Sequence, residues 1–391
     1  MLNADAMLDQ LRSYVPERAL PRAFYTSPAY FEQEMHALWY REWLFVAHES
    51  ELADVGDCLS VVVGRFPLLV VRDREGSLRA FHDTRRAVRG RMEVERTWSD
   101  LKPVHCAAVG GYVFICVAAK APDFDTFARA AEPYLLPHRL RDAKVAFEST
   151  IIEHANWKLV WENNRECYHC TANHPELCRT FPAGPTVIGL DAAAANGRMM
   201  AAWARWEAMG LPSRFELSPN GQSRLVRMPL VEGMLSFTLD GRPASRRPLS
   251  DAVTAADVGS LLLFHYPSTW NHILGDHATT FRVLPLGPTE TQLTTKWLVH
   301  KDAREGLDYE VSRLTQVWSA TNDEDRRVCQ ENQFGVNSPV YEPGPYSPVH
   351  EAGVMQFVAW YQRQLIQRLA DDSTPRVEPT ALKSRTFKAT T

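Results

Sequence analysis

The run from Trp161 to Leu177 sets Glu166, His169 and His174 in the order E-x-x-H-x4-H, which reads as half of a mononuclear iron site. Two imidazoles and one carboxylate on one side of an ion leave coordination positions open, the arrangement of mononuclear non-haem Fe(II) sites that handle dioxygen. His169 and His174 are five apart, about 140° round a regular helix, so a straight helix cannot aim both at one ion. Pro175 disfavours the helical region for the residue before it, which predicts a helix ending near Asn173 and a His174 free to turn back toward His169. Glu166 and His169, three apart, are expected on one helix face. The third ligand has to come from elsewhere in the chain.

A helix must present these residues and a core must hold the helix. The chain has 391 residues, enough for two domains, and 43 basic against 47 acidic residues give a net charge of −4, with no basic excess to suggest nucleic acid. The first residues are polar and charged, without the apolar region of a signal peptide, and the longest apolar run, near Val109 to Ala119, is too short to span a bilayer. A soluble, cytoplasmic protein is expected, with no membrane partner. Seven cysteines scattered from Cys58 to Cys329 do not suggest a disulfide framework and fit a reducing compartment. Cys167 and Cys170 flank His169, but no second C-x-x-C exists to complete a zinc site, so the pair is expected to pack as small apolar side chains.

The spacing of Tyr30, Phe31, Met35, Leu38, Trp39 and Trp43 after Ser27 predicts an N-terminal helix from Ser27 to Trp43. Strand-like runs at 58–63, 67–71 and 111–117 predict a small β domain ending near Phe147. Further strands are expected at 149–153, 261–266, 279–284 and 292–299, then long helices at about 303–332 and 353–370, giving an antiparallel sheet with helices on one face. Five residues between those helices, Pro339, Pro343, Gly344, Pro345 and Pro348, predict an extended loop. The stretch from Gly184 to Ser260 reads as a lid or covering segment near the metal motif.

On these residues the chain resembles the α subunits of Rieske-type non-haem iron oxygenases, in the branch that demethylates glycine betaine and stachydrine. The likeness rests on Asn156 through Leu177, Phe264 through His272, Thr294 through Val299, Gly335 through Ser347, and N-terminal runs at Leu20 to Tyr25 and Trp39 to Phe45. It implies an α+β fold: an N-terminal helical segment (1–45), a Rieske-like β domain (46–147), a helix-grip catalytic domain (148–371) and a tail (372–391). It also implies that His169 and His174 ligate Fe(II), that Asp325 is the third ligand with Asp323 as runner-up, and that Glu166 is the acidic residue by which electrons arrive from a neighbouring subunit. The substrate it implies is an N-methylated amine or betaine, hydroxylated with dioxygen on a methyl group that then leaves as formaldehyde. Phe264, Tyr266, Trp270 and Trp297 are candidates for a cation–π cage around its ammonium.

The same resemblance exposes a departure. The family binds a two-iron two-sulfur cluster through Cys-x-His and a later Cys-x-x-His. Here Arg85, Arg86 and Ala87 follow Thr84 where the first pair belongs, and Leu101 to Cys106 arrives without a second. Arginine offers iron no lone pair. The β domain is therefore expected to hold no cluster, and electrons from NAD(P)H through a reductase would enter by a Rieske-bearing sister α subunit or a Rieske ferredoxin, in a trimeric or mixed oligomer. Arg85, Arg86, Arg89 and Arg91 read by default as a solvated face, with a docking patch for an acidic electron carrier or a sister subunit as the alternative. Two other readings stay open: a non-catalytic subunit of a mixed oligomer, and an iron enzyme that needs no external electrons.

Overall fold

The computed structural model describes residues 2–84, 101–182, 197–254 and 257–370. Arg85, Arg86, Arg89 and Arg91, residues 184–196 of the expected lid and the tail after 371 lie outside the described residues.

Among the described residues the chain folds as two antiparallel sheets with helices, an α+β architecture. Helices α1 (Leu2–Ser13), α2 (Ala23–Thr26) and α3 (Pro28–Ala37) come first. Ser27 caps α3, its side chain accepting from the Tyr30 amide, with Pro28 in the first turn. The helix expected to reach Trp43 stops at Ala37 and continues as a 3-10 turn over Trp39–Arg41, because Leu38 leaves helical geometry at φ −119°, ψ −70°.

Strands β1 (Leu44–His48), β2 (Cys58–Val63), β3 (Phe66–Arg72), β4 (Leu78–His82), β5 (Pro103–Val109) and β6 (Tyr112–Cys116) form the first sheet in the order β1-β6-β5-β4-β3-β2. Helix α4 (Asp125–Leu135) leads into β7 (Ala143–Glu153), which starts the second sheet and runs across the boundary expected at 147. Its companions are β8 (Glu216–Leu217), β9 (Ser223–Met228), β10 (Ser260–His265), β11 (Thr269–Ile273), β12 (Ala278–Gly287) and β13 (Glu290–His300), in the order β7-β13-β12-β11-β10-β9-β8. Part of the expected covering segment therefore extends the sheet through β8 and β9, after helix α7 (Gly197–Ala208).

Cross-strand register decides what each face of this sheet presents, because directly paired residues share a face and neighbours along a strand alternate. Phe264, Trp270, Phe281 and Thr295 form one row, and Leu262, His272, Thr279, Trp297 and Phe147 form the next on the same side. That side meets helices α5 (Trp157–Asn164), α8 (Val311–Asn337) and α9 (Ala352–Leu369): Asn322 of α8 donates to Thr295 Oγ1 at 2.9 Å, and Trp318 packs on His272 and Phe281. The opposite side meets the first sheet. Thr280 donates to the Tyr112 hydroxyl, Arg282 donates to the Val46 carbonyl, and Lys296 pairs with Glu51 at 2.5 Å.

Helix α8 begins at Val311 rather than near 303, since Gly306 sits at φ 77° in a turn held by the Gly306 amide on the Tyr309 carbonyl. It runs on to Asn337, two residues before Pro339. A fully buried charged contact ties the N-terminal segment to α5: Lys158 Nζ lies 2.7 Å from Glu34 Oε1, and Trp157 Nε1 donates to Glu34 Oε2 at 2.9 Å. Among the described residues no helix is long and apolar enough to cross a membrane.

Candidate metal centre

Helix α5 is capped by Asn156, whose side chain accepts from the Lys158 amide at 3.0 Å. It ends at Asn164, and the short helix α6 (Cys170–Asn173) follows. Glu166 and His169 thus lie in the connection between two helices and not on one continuous helix face as the spacing predicts. His174 leaves α6 at φ −119°, ψ 67°, immediately before Pro175.

The break turns both imidazoles toward one point. His169 Nε2 and His174 Nε2 are 2.9 Å apart, and Asp325 Oδ1 on α8 is 3.2 Å from the first and 2.9 Å from the second. Three donors bound at about 2.1 Å in adjacent positions of an octahedron lie roughly 3.0 Å apart, so the triangle has the dimensions of a two-histidine one-carboxylate set. Asn163, on the last turn of α5, donates from Nδ2 to Asp325 Oδ1 at 2.7 Å. Asp323 is not part of this geometry: its side chain is 63% exposed and pairs with Arg326 at 2.9 Å.

Each histidine uses its other nitrogen on a carboxylate. His169 Nδ1 is 2.5 Å from Glu166 Oε1, and His174 Nδ1 is 2.8 Å from Glu324 Oε2. A proton held on Nδ1 leaves the Nε2 lone pair facing inward, the tautomer a metal requires. Sequence reasoning passed over Glu324, although it sits beside Asp325.

The electrostatics favour positive charge here. Burial lowers the His169 pKa, yet Asp325 and Glu166 outweigh it and raise the group to about 9. His174 is raised in the same way against its own burial, chiefly by Asp325. Burial works to raise Asp325, but hydrogen bonds from the two imidazoles hold it down at about 2. Three carboxylates round two imidazoles hold protons or a divalent cation, and a cation binding at Nε2 displaces those protons.

Cys170 also offers a sulfur within 4.8 Å of the two histidine nitrogens. It is joined to Cys167 in a disulfide with Cα atoms 4.9 Å apart, which removes the thiolate and corrects the expectation that the pair only packs. Backbone separation brings the two sulfurs into bonding range across the turn that carries His169. The other five cysteines are not joined in disulfides.

The four aromatic residues expected to form a cage all lie on the helix-facing side of the sheet but have different surroundings. Arg165 occupies the ring of Phe264, its guanidinium carbon 4.5 Å from the centroid. Tyr266 is wedged among Trp161, Phe357 and Trp360. Trp270 packs under Trp161 and stacks on Phe281. Trp297 lies against Phe147, fully buried. A second aromatic group, unsuspected from sequence, gathers at His272: Phe181, Phe237 and Trp318, with Phe237 also touching Phe181 and Trp318. Its members come from four separate segments, so no local periodicity announces it.

The family model for the ring-hydroxylating α subunit catalytic domain matches residues 140–367. The glycine betaine monooxygenase oxygenase subunit of Chromohalobacter salexigens is 40% identical over 93% of this chain and 90% of its own length. That of Pseudomonas aeruginosa is 39% identical over 94% of each. Among solved structures, a quaternary ammonium Rieske monooxygenase with bound inhibitor superposes with a TM-score of 0.65 at 18% identity, covering 91% of this chain and 98% of that one. Naphthalene 1,2-dioxygenase from Rhodococcus superposes at 0.61 and 15% identity, covering 95% and 98%. The chain therefore belongs to the ring-hydroxylating α-subunit family, the family of Rieske oxygenase subunits that includes these monooxygenase relatives.

Proposed function

We propose that this chain is the iron-bearing component of a betaine N-demethylase, with His169, His174 and Asp325 as ligands. The observation that carries this reading is the donor triangle in which both imidazoles have their second nitrogen fixed by a carboxylate, Glu166 for one and Glu324 for the other. Fe(II) held there would supply dioxygen activation for hydroxylating an N-methyl group, one oxygen atom entering the C–H bond and the other leaving as water with two electrons and two protons. The hydroxymethyl product of a quaternary amine then splits to formaldehyde and the tertiary amine.

The chain's own residues set the conditions for this. Asn163 and the α8 backbone keep Asp325 in place, and the Cys167–Cys170 link narrows the freedom of the turn carrying His169. The aromatic group of Phe181, Phe237 and Trp318, beside the expected Trp270 and Trp297, offers an apolar, π-rich wall for an ammonium, each good contact worth about 0.5–2 kcal/mol. The substrate class follows from the named relatives, which act on glycine betaine.

Because the sequence has no Cys-x-His and Cys-x-x-His pairs in its first domain, the two electrons are assigned to a separate Rieske-bearing protein and its reductase. The test is reconstitution. Iron should bind at one per chain, and formaldehyde should appear from glycine betaine only when a Rieske protein, a reductase and NAD(P)H are added, and not in His169→Ala. Turnover by the purified chain with dioxygen alone, or full activity of a mixed complex carrying His169→Ala, would overturn it.

A further inference from the structure

On the helix-facing side of the second sheet, four adjacent residues keep a polar atom that is buried and has no hydrogen-bond partner: His272 Nδ1, Thr279 Oγ1, Trp297 Nε1 and Trp318 Nε1. The first three are direct cross-strand neighbours, His272 opposite Thr279 and Thr279 opposite Trp297, so their side chains stand side by side. Trp318 covers them from α8, its ring 4.5 Å from that of His272. Thr279 and Trp297 are fully buried and His272 is 4% exposed. A buried polar group left without a partner has lost its hydration with nothing in return, so four in one place mark a ligand position.

The chemistry of the atoms names the ligand. Both indole N–H groups are donors only, and the threonine hydroxyl can donate. Burial keeps His272 neutral, and its ring can present an N–H as well. A group that satisfies several neighbouring donors must bring several lone pairs and few protons, which describes a carboxylate. All four donors are uncharged, which suits a zwitterion, whose own ammonium already balances its carboxylate, better than a net anion. Phe181, Phe237 and the Trp318 ring meet at the same His272, ready for the ammonium end. Seven residues of α8, roughly 10 Å of helix, separate Trp318 from Asp325, the span of a small zwitterion and its contacts.

We propose that His272, Thr279, Trp297 and Trp318 bind the carboxylate of the betaine and so select it over alcohol-bearing quaternary amines such as choline. This deepens the demethylase reading and rests on it for the identity of the reacting end. The test measures binding by calorimetry for glycine betaine, choline and acetate, on the wild type and on two shape-preserving variants, Thr279→Val and Trp297→Phe. The wild type should prefer glycine betaine to choline by about tenfold or more, and each variant should lose most of that preference. Because each variant also deletes an unsatisfied polar atom, the ligand-free proteins should melt no lower than the wild type, a result that an ordinary structural hydrogen bond would not give.

Equal affinity for betaine and choline in the wild type, or a preference unchanged in both variants, overturns the assignment. Acetate binding as tightly as glycine betaine overturns it in favour of a free-anion site. The two readings fail separately: if no formaldehyde is released from any quaternary amine while the carboxylate preference and its loss are seen, the demethylase reading falls and the subsite stands.

Discussion

Replacing Glu324 by alanine isolates a residue that touches no ion directly yet should set how tightly one is held. Glu324 Oε2 accepts from His174 Nδ1 at 2.8 Å, and His174 is 1% exposed, so water cannot readily take over the contact. A hydrogen bond to an ionised acceptor in such a place contributes about 1.5–3 kcal/mol. Without it the imidazole can move its proton to Nε2, the nitrogen that must be free for the metal. At about 1.4 kcal/mol per decade, metal affinity should fall roughly 10- to 100-fold. Glu324→Gln should lose less, since the amide oxygen still accepts from Nδ1. The neighbouring Asp323→Ala is the control: with its side chain exposed on Arg326, it should stay within about twofold of wild type. The assay is anaerobic competition for Fe(II) or Co(II) against a chromophoric chelator at neutral pH. Wild-type affinity in Glu324→Ala, or an equal loss in Asp323→Ala, refutes the reasoning.

Three other expectations follow from features away from the metal. Lys158→Met should destabilise the protein by about 3–5 kcal/mol in denaturant titrations, because it leaves the carboxylate of Glu34 fully buried without its cation. His265 is completely buried, which pushes its pKa down to about 3, far below its ordinary value near 6.5. Its neutral form therefore stabilises the fold fully above pH 6.5 and progressively less as pH falls toward 3, so between about pH 7.5 and 5.5 the wild type should lose roughly 1.4 kcal/mol more than His265→Phe. Thiol titration of the denatured protein should count five thiols before reduction and seven after.

The histidine pair was legible from spacing and from Pro175, because five residues and a proline dictate a local bend that needs no tertiary knowledge. Asp325 was legible only through family resemblance, since 151 positions separate it from His174 and nothing local distinguishes it within Asn322-Asp-Glu-Asp325. Successive residues on a helix point about 100° apart, so which of three acids faces inward depends on how α8 is rotated against the sheet, and that is fixed by contacts such as Asn322 on Thr295. The run at 149–153 covers only the end of β7, and β1, β4, β5, β8 and β11 carried no expectation, while the runs at 58–63, 67–71, 111–117, 261–266, 279–284 and 292–299 were expected within three residues of β2, β3, β6, β10, β12 and β13. Strand β9 was not, because Ser223, Arg224 and Arg227 give it a polar surface reading although every residue in it is buried. The Cys167–Cys170 bond escaped for a different reason: a spacing of three permits a disulfide or two thiols, and only the Cα separation chooses between them.

The presence of Glu166 in a sequence without the Cys-x-His and Cys-x-x-His pairs looks like a sign that electrons still enter beside it. Geometry gives Glu166 another task, since its 2.5 Å contact with His169 Nδ1 orients that histidine whether or not electrons pass nearby. The two roles separate in Glu166→Gln. Orientation alone predicts weaker metal binding, comparable to Glu324→Gln, with turnover per bound iron unchanged once the site is saturated. A role in electron entry predicts, in addition, a loss of turnover at saturating iron, because the amide lacks the charge that would face a docked partner. The second outcome is the one expected if a separate Rieske protein docks at this edge of the molecule, where Tyr168 is 69% exposed next to Glu166. Turnover per iron equal to wild type would leave Glu166 as a positioning residue and move the point of electron entry elsewhere on the surface.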